Sequence, residues 1–324
     1  MIAKSCSITI RIEKLQALDR RIAPNHPVRR DVSTELSNRM AGYRGEKSLE
    51  FHLSMLSDSK YYIFHGLRLK YKKYFFQVDN LLLCSSFGIN LEVKNMGGEL
   101  HFEKNFNQMV QTKKDSSARK TNPVLQAKLQ AIKLKKWLNE RNCPDIPIYY
   151  LFVNSNSKTL IVSEPGNERI NQHICNSEFL IEKIFQIENT NKVEVLSIKE
   201  LRKIKRILLA SHTPDNPEIL QHFNLTQNNI LPGVQCPKCH YLPMKYSRGT
   251  WFCPTCKEKS KTAHIQAVYD YFLLIKPFIT NSEFRQFLHI ESIHIAQKLL
   301  ASMKLHFTGK FKDRVYHAPP FMER

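Results

Sequence analysis

The sequence predicts an α+β protein built in several parts, and three observations predict it. Between Gly42 and Val153 the apolar pattern runs helix, three strands, helix, strand. Cys236, Cys239, Cys253 and Cys256 then form two C-x-x-C pairs. After them, two helices joined by a short break lead into a strand–turn–strand signal around Gly309. A chain of 324 residues has length for about two domains and a small appendage.

Composition narrows the class. Apolar residues make up 42% and charged residues 24%, ordinary globular values that exclude wholesale disorder. The charge balance is not ordinary. Lys+Arg 49 against Asp+Glu 29 gives +20, which favours a polyanionic partner such as DNA, RNA or an anionic membrane surface. No run approaches the roughly 18–20 apolar residues of a membrane span, and Met1 to Cys6 does not open a signal peptide. Cys6, Cys84, Cys143 and Cys175 are scattered without a disulfide framework. The expected setting is therefore a reducing cytoplasm, with no membrane association.

Residues 1–40 are polar and basic, with a short amphipathic helix around Ile12, Leu15 and Leu18 broken by Pro24 and Pro27. They read as a helical arm. In the first compact region, 41–165, Leu49, Leu53 and Leu56 fall on one helical face. Tyr61 to Leu69, Tyr74 to Leu83 and Ile89 to Val93 read as strands, the last continuing past Gly97-Gly98 towards Phe102. Asn122-Pro123 starts a helix through about Asn139, with Leu125, Leu129 and Ile132 on one face. Ile146 to Val153 is a fourth strand, and Thr159 to Val162 reads as a fifth. Residues 166–232 read as a helical linker, with helices near Ser177–Glu188 and Ser197–Leu209. Two further parts follow, at 233–262 and 263–324.

Three acids in the first region belong together. Asp79 lies in the second strand, Glu92 and Lys94 in the third, and Glu46 in the opening helix. Glu92 and Lys94 share one sheet face while Val93 points into the core. Acids among Leu81-Leu82-Leu83 and Leu91-Glu92-Val93 cost desolvation free energy unless a cation or hydrogen bonds offset it. Two converging carboxylates are the oxygen set that Mg²⁺ takes, and a neighbouring lysine can stabilise charge on a phosphate.

Gly42-Tyr43-Arg44-Gly45-Glu46, Gln77-Val78-Asp79-Asn80-Leu81-Leu82 and Leu91-Glu92-Val93-Lys94-Asn95 with Gly97-Gly98 resemble the nuclease-related (NERD) domain over roughly residues 40–155. That domain is assigned to the PD-(D/E)xK restriction-endonuclease-like superfamily, whose α-β-β-β-α-β core matches the order read above. The resemblance implies that Asp79 and Glu92 bind Mg²⁺ or Mn²⁺, that Lys94 is the catalytic lysine, and that Glu46 supports the site. Asn122-Pro123 and Gln126 look like the family's downstream helix motif, which implies that Gln126 faces the site. Val78 stands where the superfamily's name has proline. The implied activity is divalent-metal-dependent cleavage of DNA, with RNA as the alternative substrate. The alternative reading of the chain is a DNA-binding or protein-interaction scaffold without turnover.

Flanking charge fits a nucleic-acid substrate. Ten Lys/Arg between Lys104 and Arg141, among them Lys128, Lys135 and Lys136, face only Asp115 and Glu140, a net of +8. Such a surface would hold a phosphate backbone without reading sequence.

The cysteine spacing C-x-x-C-x13-C-x-x-C predicts a tetrahedral Cys₄ zinc ribbon from Cys236, Cys239, Cys253 and Cys256, structural because its shell is closed. His240 is surplus to it.

In the last sixty residues, Asn281 or Ser282 is expected to cap one helix, and Ala296, Leu299, Leu300 and Met303 mark the inner face of a second. A hairpin turning at Thr308-Gly309-Lys310 completes a winged-helix outline. Lys310, Lys312 and Arg314 are expected to alternate with Phe311 and Val315, giving a basic stripe. With Lys298 on the second helix, this stripe is expected to contact DNA. No phosphate-binding glycine loop appears, which argues against nucleotide hydrolysis. Cys84 is expected to be a small buried hydrophobe.

Overall fold

The strand-forming runs between Tyr61 and Val153 assemble into one sheet in the computed structural model, which describes residues 1–114 and 116–322, the side chains of Lys312 and Phe321 excepted. Asp115, Glu323 and Arg324 lie outside the described residues, and so does the Lys312 side chain of the expected basic stripe. Two compact units divide the chain: Met1–Ser7 with Arg39–Thr213, and Ile8–Asn38 with Pro214–Arg324.

The chain opens with β1 (Ile2–Lys4), α1 (Ile10–Arg21) and the long α2 (Arg29–Leu53). Residues 1–40 are therefore no separate arm. β1 joins the sheet of the first unit, and α1 packs into the core of the second.

In the first unit, β2 (Tyr62–Tyr71), β3 (Tyr74–Leu83) and β4 (Gly88–Lys94) form an antiparallel meander. β5 (Glu99–Phe102), β6 (Met109–Lys113) and β7 (Ser116–Lys120) follow, then α3 (Pro123–Asn139) and β8 (Ile148–Asn154). β8 lies parallel to β4. This is the expected α-β-β-β-α-β order. β9 (Leu160–Ser163), α4 (Glu168–Asn171), β10 (Ile174–Asn176), α5 (Leu180–Thr190) and α6 (Ile198–Ala210) complete the unit. The main sheet has the order β1-β2-β3-β4-β8-β10, and a smaller sheet runs β7-β6-β5-β9.

Alternation along the strands gives the sheet two apolar faces. Leu49 and Leu53 of α2 and Ile184 of α5 pack with Leu82, Ile89, Leu91, Val93 and Leu151 on one. Leu134, Trp137 and Leu138 of α3, with Ile204 and Leu208 of α6, cover Phe64, Leu67, Val78 and Leu81 on the other. The result is three layers around one sheet. The stretch expected as a linker thus supplies α5 and α6 to both sides of this core.

α3 shows which of its faces meets the sheet. Asn122 caps it and Pro123 opens it, as read from the sequence. Its inner face, however, is Val124, Ala127, Ala131, Leu134 and Leu138. Leu125, Leu129 and Ile132 stand outside, 39%, 56% and 43% exposed. Two apolar stripes run along this helix, and periodicity alone does not say which faces the sheet.

The second unit holds α1, the start of α2, α7 (Ile219–His222) and all the later elements. Asp270 is fully buried and accepts from Arg20 and Arg21 at 2.6 and 2.8 Å. β11 (Lys245–Ser247), β12 (Thr250–Phe252) and β13 (Lys259–Ser260) form a small antiparallel sheet beside the four cysteines. α8 (Ala263–Leu274), β14 (Phe278–Thr280), α9 (Asn281–Leu288), α10 (Ile293–Ser302), β15 (Phe307–Thr308) and β16 (Val315–His317) follow. These last strands form a sheet in the order β14-β16-β15. The cap of α9 is Thr280, in a capping box with Glu283, one residue before the expected positions.

The hairpin also departs from expectation. Residues 311–313 form a 3₁₀ turn between β15 and β16, so the strict alternation of basic and apolar residues does not arise. Phe311 is 91% exposed rather than on an apolar inner face. Gly309 at φ 77° makes the turn possible, since a Cβ there would meet the Asp313 carbonyl at 2.3 Å.

Candidate functional site

Each acidic residue is delivered by a different element. Gly45 lets α2 approach the ends of β4 and β8: a Cβ there would meet Ser155 Oγ at 2.9 Å and Asn95 Cβ at 3.2 Å. The next residue is Glu46. In β3 the period of two slips by one residue. Phe76 and Val78 share a core cluster with Leu81 and Leu83, so the slip falls at Asp79-Asn80. Across the ladder, Phe64 and then Leu67 and Leu69 show the same slip at Gly66, whose φ is 60°. A paired strand must slip with its partner if register is kept.

The slip frees Asp79 to act as a side-chain acceptor. Its Oδ2 takes the Val93 backbone N–H at 3.0 Å, and the Gln77 side chain also helps hold this carboxyl down. On β4, Glu92 is completely buried and its Oε1 forms an ion pair with Lys94 Nζ. Glu92 Oε2 has no hydrogen-bond partner among the described residues. Asn90 donates to the Ala127 carbonyl at 2.8 Å and ties α3 to β4. This brings Gln130 to Asn90 at 3.5 Å and beside Glu92, whose carboxyl it helps hold down.

Electrostatics follow from three acids and few cations. Burial pushes the Glu46 carboxyl up to about 8, with the charges of Asp79 and Glu92 adding to it and Lys94 and Lys4 opposing. Glu92 is pushed up to about 7 by burial and by Asp79, against Lys94. Burial also raises Asp79, while Lys94 and the Val93 N–H hold it down. Burial pulls Lys94 down, but Glu92 and Asp79 outweigh it and its affinity for the proton rises. An orphaned buried carboxylate oxygen among three acids, with few cations to offset them, fits a divalent cation held by Asp79 and Glu92.

Glu46, Asp79, Glu92 and Lys94 are thus brought together. Gln126 lies half-buried one turn before Gln130, and its side chain makes no hydrogen bond among the described residues. Gln130 is the helix residue that sequence reasoning missed. Its signal was the i+4 spacing from Gln126, which puts both on one face of α3.

The four cysteines converge. Their Sγ atoms lie within 4.8 Å of one another, with Cys236–Cys256 at 3.6 Å and Cys239–Cys253 at 3.5 Å. Disulfides would need about 2.05 Å. Four sulfurs each about 2.3 Å from one zinc stand roughly 3.8 Å apart at the corners of a tetrahedron. The two knuckles repeat one backbone pattern. His240 N–H donates to the Cys236 carbonyl and Lys257 N–H to the Cys253 carbonyl, each at 3.0 Å. His240 and Lys257 both take the left-handed conformation that turns the chain. The cluster is compatible with structural zinc, and His240 is not needed as a ligand.

Among the expected nucleic-acid contacts, Lys128 and Lys136 are exposed on α3, Lys298 on α10 and Lys310 beside the turn. Lys135 is paired with Asp145 at 3.2 Å. Arg314 is half-buried, its guanidinium 4.3 Å from the centre of the Phe307 ring. No helix is long and apolar enough to cross a membrane among the described residues.

Residues 41–155 match the family described as the nuclease-related domain, NERD. The match begins in α2 and ends just after β8, so it contains Glu46, Asp79, Glu92, Lys94, Gln126 and Gln130 and none of the four zinc-compatible cysteines. No curated protein and no solved structure gives a significant match.

Proposed function

We propose that this protein is a divalent-metal-dependent nuclease that hydrolyses phosphodiester bonds of DNA. The observation that carries the reading is the group of buried Asp79 and Glu92 with half-buried Lys94, and Glu46 beside it, at the slip in β3 next to β4. Asp79 and Glu92 would hold Mg²⁺ or Mn²⁺. Such an ion polarises a phosphate oxygen and acidifies a water. Lys94, charged and paired to Glu92, would balance negative charge developing on the phosphate. Glu46, with its carboxyl near neutrality, could exchange a proton with that water.

Around this centre, the exposed lysines of α3 would take backbone phosphates. We read the second unit's cysteine cluster as a zinc ribbon, and the α8 to β16 module as a winged helix that grips DNA through Lys298, Lys310 and Arg314. The helix–strand–helix–helix–hairpin order supports that reading. The free, scattered cysteines fit a cytoplasmic setting. The test is cleavage of linear and circular DNA with and without Mg²⁺ or Mn²⁺. Cation-dependent cleavage that disappears in Glu92→Gln supports the reading, and binding without turnover under all cations would favour a scaffold.

A further inference from the structure

The face of β3 that carries Asp79 continues away from the acidic centre. Residues 75, 77 and 79 alternate onto one side of the strand. Phe76 and Val78 point the other way, into the core under α3. The influence of the Gln77 side chain on the Asp79 carboxyl fits the shared side. Across the ladder, Arg68 pairs with Gln77 and Lys70 with Phe75. This end of the face is open: Lys70, Phe75 and Gln77 are exposed, and Phe75 keeps 40% of its surface. The Arg68 guanidinium lies 3.8 Å from the centre of the Phe75 ring and fixes its plane. The hairpin closes on Lys72-Lys73, next to exposed Tyr74. From Gly66 to Val78 the sequence has four Lys/Arg (Arg68, Lys70, Lys72 and Lys73) and no Asp or Glu, so the charge along this hairpin is all positive.

We infer that this face is a track for single-stranded nucleic acid, with Phe75 as a stacking platform for an unpaired base and Lys70 and the Lys72–Lys73 tip holding backbone phosphates. The inference rests on the nuclease reading above and names its substrate as a strand with unpaired bases. At about 3.4 Å per residue, Gln77 and Phe75 stand roughly 7 and 14 Å along the strand from Asp79. These are steps that an extended single strand can follow from the cleavage centre. Stacking on an aromatic ring needs a base face, which a single strand offers without sequence preference. A duplex presents only base edges in its grooves and cannot use the ring. An exposed phenylalanine among lysines therefore favours a frayed end, gap or single strand over an intact duplex.

The test uses the full chain in EDTA, with a fluorescein-labelled single strand and the matching duplex read by anisotropy, and a 2-aminopurine strand read by its own fluorescence. Phe75→Ala should weaken single-strand binding about tenfold and remove the stacking quench, while duplex binding stays within about twofold and Phe75→Trp restores both signals. Lys70→Gln should reduce the single-strand salt slope by about 0.7. Single-strand affinity and quenching unchanged in Phe75→Ala would overturn the track. Equal losses on single strand and duplex would overturn it too, leaving Phe75 a general surface or folding residue. The nuclease reading fails separately: a wild-type protein that cleaves neither form with Mg²⁺ or Mn²⁺ sinks it, whatever Phe75 contributes to binding.

Discussion

Asp79 Oδ2 accepts the backbone N–H of Val93 at 3.0 Å, so a side chain of β3 stands where a strand carbonyl would otherwise complete the ladder with β4. The last ladder pair before this point is Asn80 with Leu91. One carboxylate thus has two roles: it completes the backbone hydrogen bonding between two central strands where β3 slips, and it adds negative charge beside Glu92. The two roles can be separated. Asp79→Asn keeps an acceptor for Val93 but removes the charge, whereas Asp79→Ala removes both. Cleavage should fall by at least about a hundredfold in either variant, as for loss of a group that stabilises transition-state charge. Urea denaturation should find Asp79→Ala less stable than Asp79→Asn by about 1–3 kcal/mol, the cost of a buried unpaired N–H. Equal stabilities would refute the structural role.

The raised carboxyls make stability depend on pH. Glu46 at about 8 and Glu92 at about 7 bind protons in the folded state that they would release at ordinary carboxylate values when unfolded. The folded state therefore holds more protons, and this stabilisation is full below about 4.5 and is lost as pH rises through 7 and 8. Metal-free protein should melt at a lower temperature at pH 8.5 than at pH 6. Glu46→Gln should flatten the dependence, and Mg²⁺ should restore alkaline stability while releasing protons on binding at neutral pH. A melting temperature that rises towards pH 8.5 in EDTA would contradict the electrostatics of the site.

Gln130 and Gln126 give a sharper test of which helix residue serves the centre. Gln130 reaches Asn90 and holds the Glu92 carboxyl down, whereas the Gln126 side chain makes no hydrogen bond among the described residues. Gln130→Ala should lower kcat by about tenfold, within the range expected for a lost orienting hydrogen bond, and shift the acidic limb of the pH profile upward. Gln126→Ala should change neither. The reverse order would return the role to Gln126.

The cysteine cluster makes a prediction with its own optical signal. Trp251 is buried beside the second knuckle and donates from Nε1 to His264 Nδ1 at 3.2 Å. One zinc per chain should be found by elemental analysis, since one Cys₄ group is present among the described residues. Cys253→Ser or strong chelation should release it and shift tryptophan emission to the red as Trp251 meets water, because zinc binding at such sites is largely folding free energy. Unchanged emission after complete metal removal would show that the ribbon folds without zinc.

The nuclease-like core was legible because its signals are local. Strand alternation and helical stripes marked α2, β2, β3, β4, α3 and β8, and Asp79, Glu92 and Lys94 sat in apolar strands where acids are costly. The outward face of α3 was not legible, because Leu125, Leu129 and Ile132 make as regular a stripe as the residues that face the sheet. Nor was the shared slip at Gly66 and Asp79-Asn80, which depends on two strands keeping register. The roles of α5 and α6 were hidden because a short amphipathic helix reads alike whether it links two regions or covers a sheet. The turn at 311–313 broke the expected stripe because Gly309 tightens the connection between two very short strands.

That turn sets the last prediction. Lys310 is exposed beside Gly309, and Lys298 is exposed on α10, so both can reach a phosphate without disturbing the module. Arg314 differs: its guanidinium packs on Phe307, and replacing it removes a cation–π contact as well as a charge. If the module grips DNA, Lys298→Gln and Lys310→Gln should each weaken duplex binding alike for all sequences. Each should also reduce the log–log salt slope by about 0.9, the value for one lost phosphate contact on a duplex. Their melting temperatures should match wild type. Arg314→Gln should show the same loss of slope together with a lower melting temperature. Cleavage at saturating DNA should survive in all three, because none touches Asp79, Glu92 or Lys94. If the salt slope is unchanged in both lysine variants, the module does not bind the backbone. Arg314 would then matter only through its packing on Phe307, and the nuclease-related unit would have to hold the substrate through its own cations.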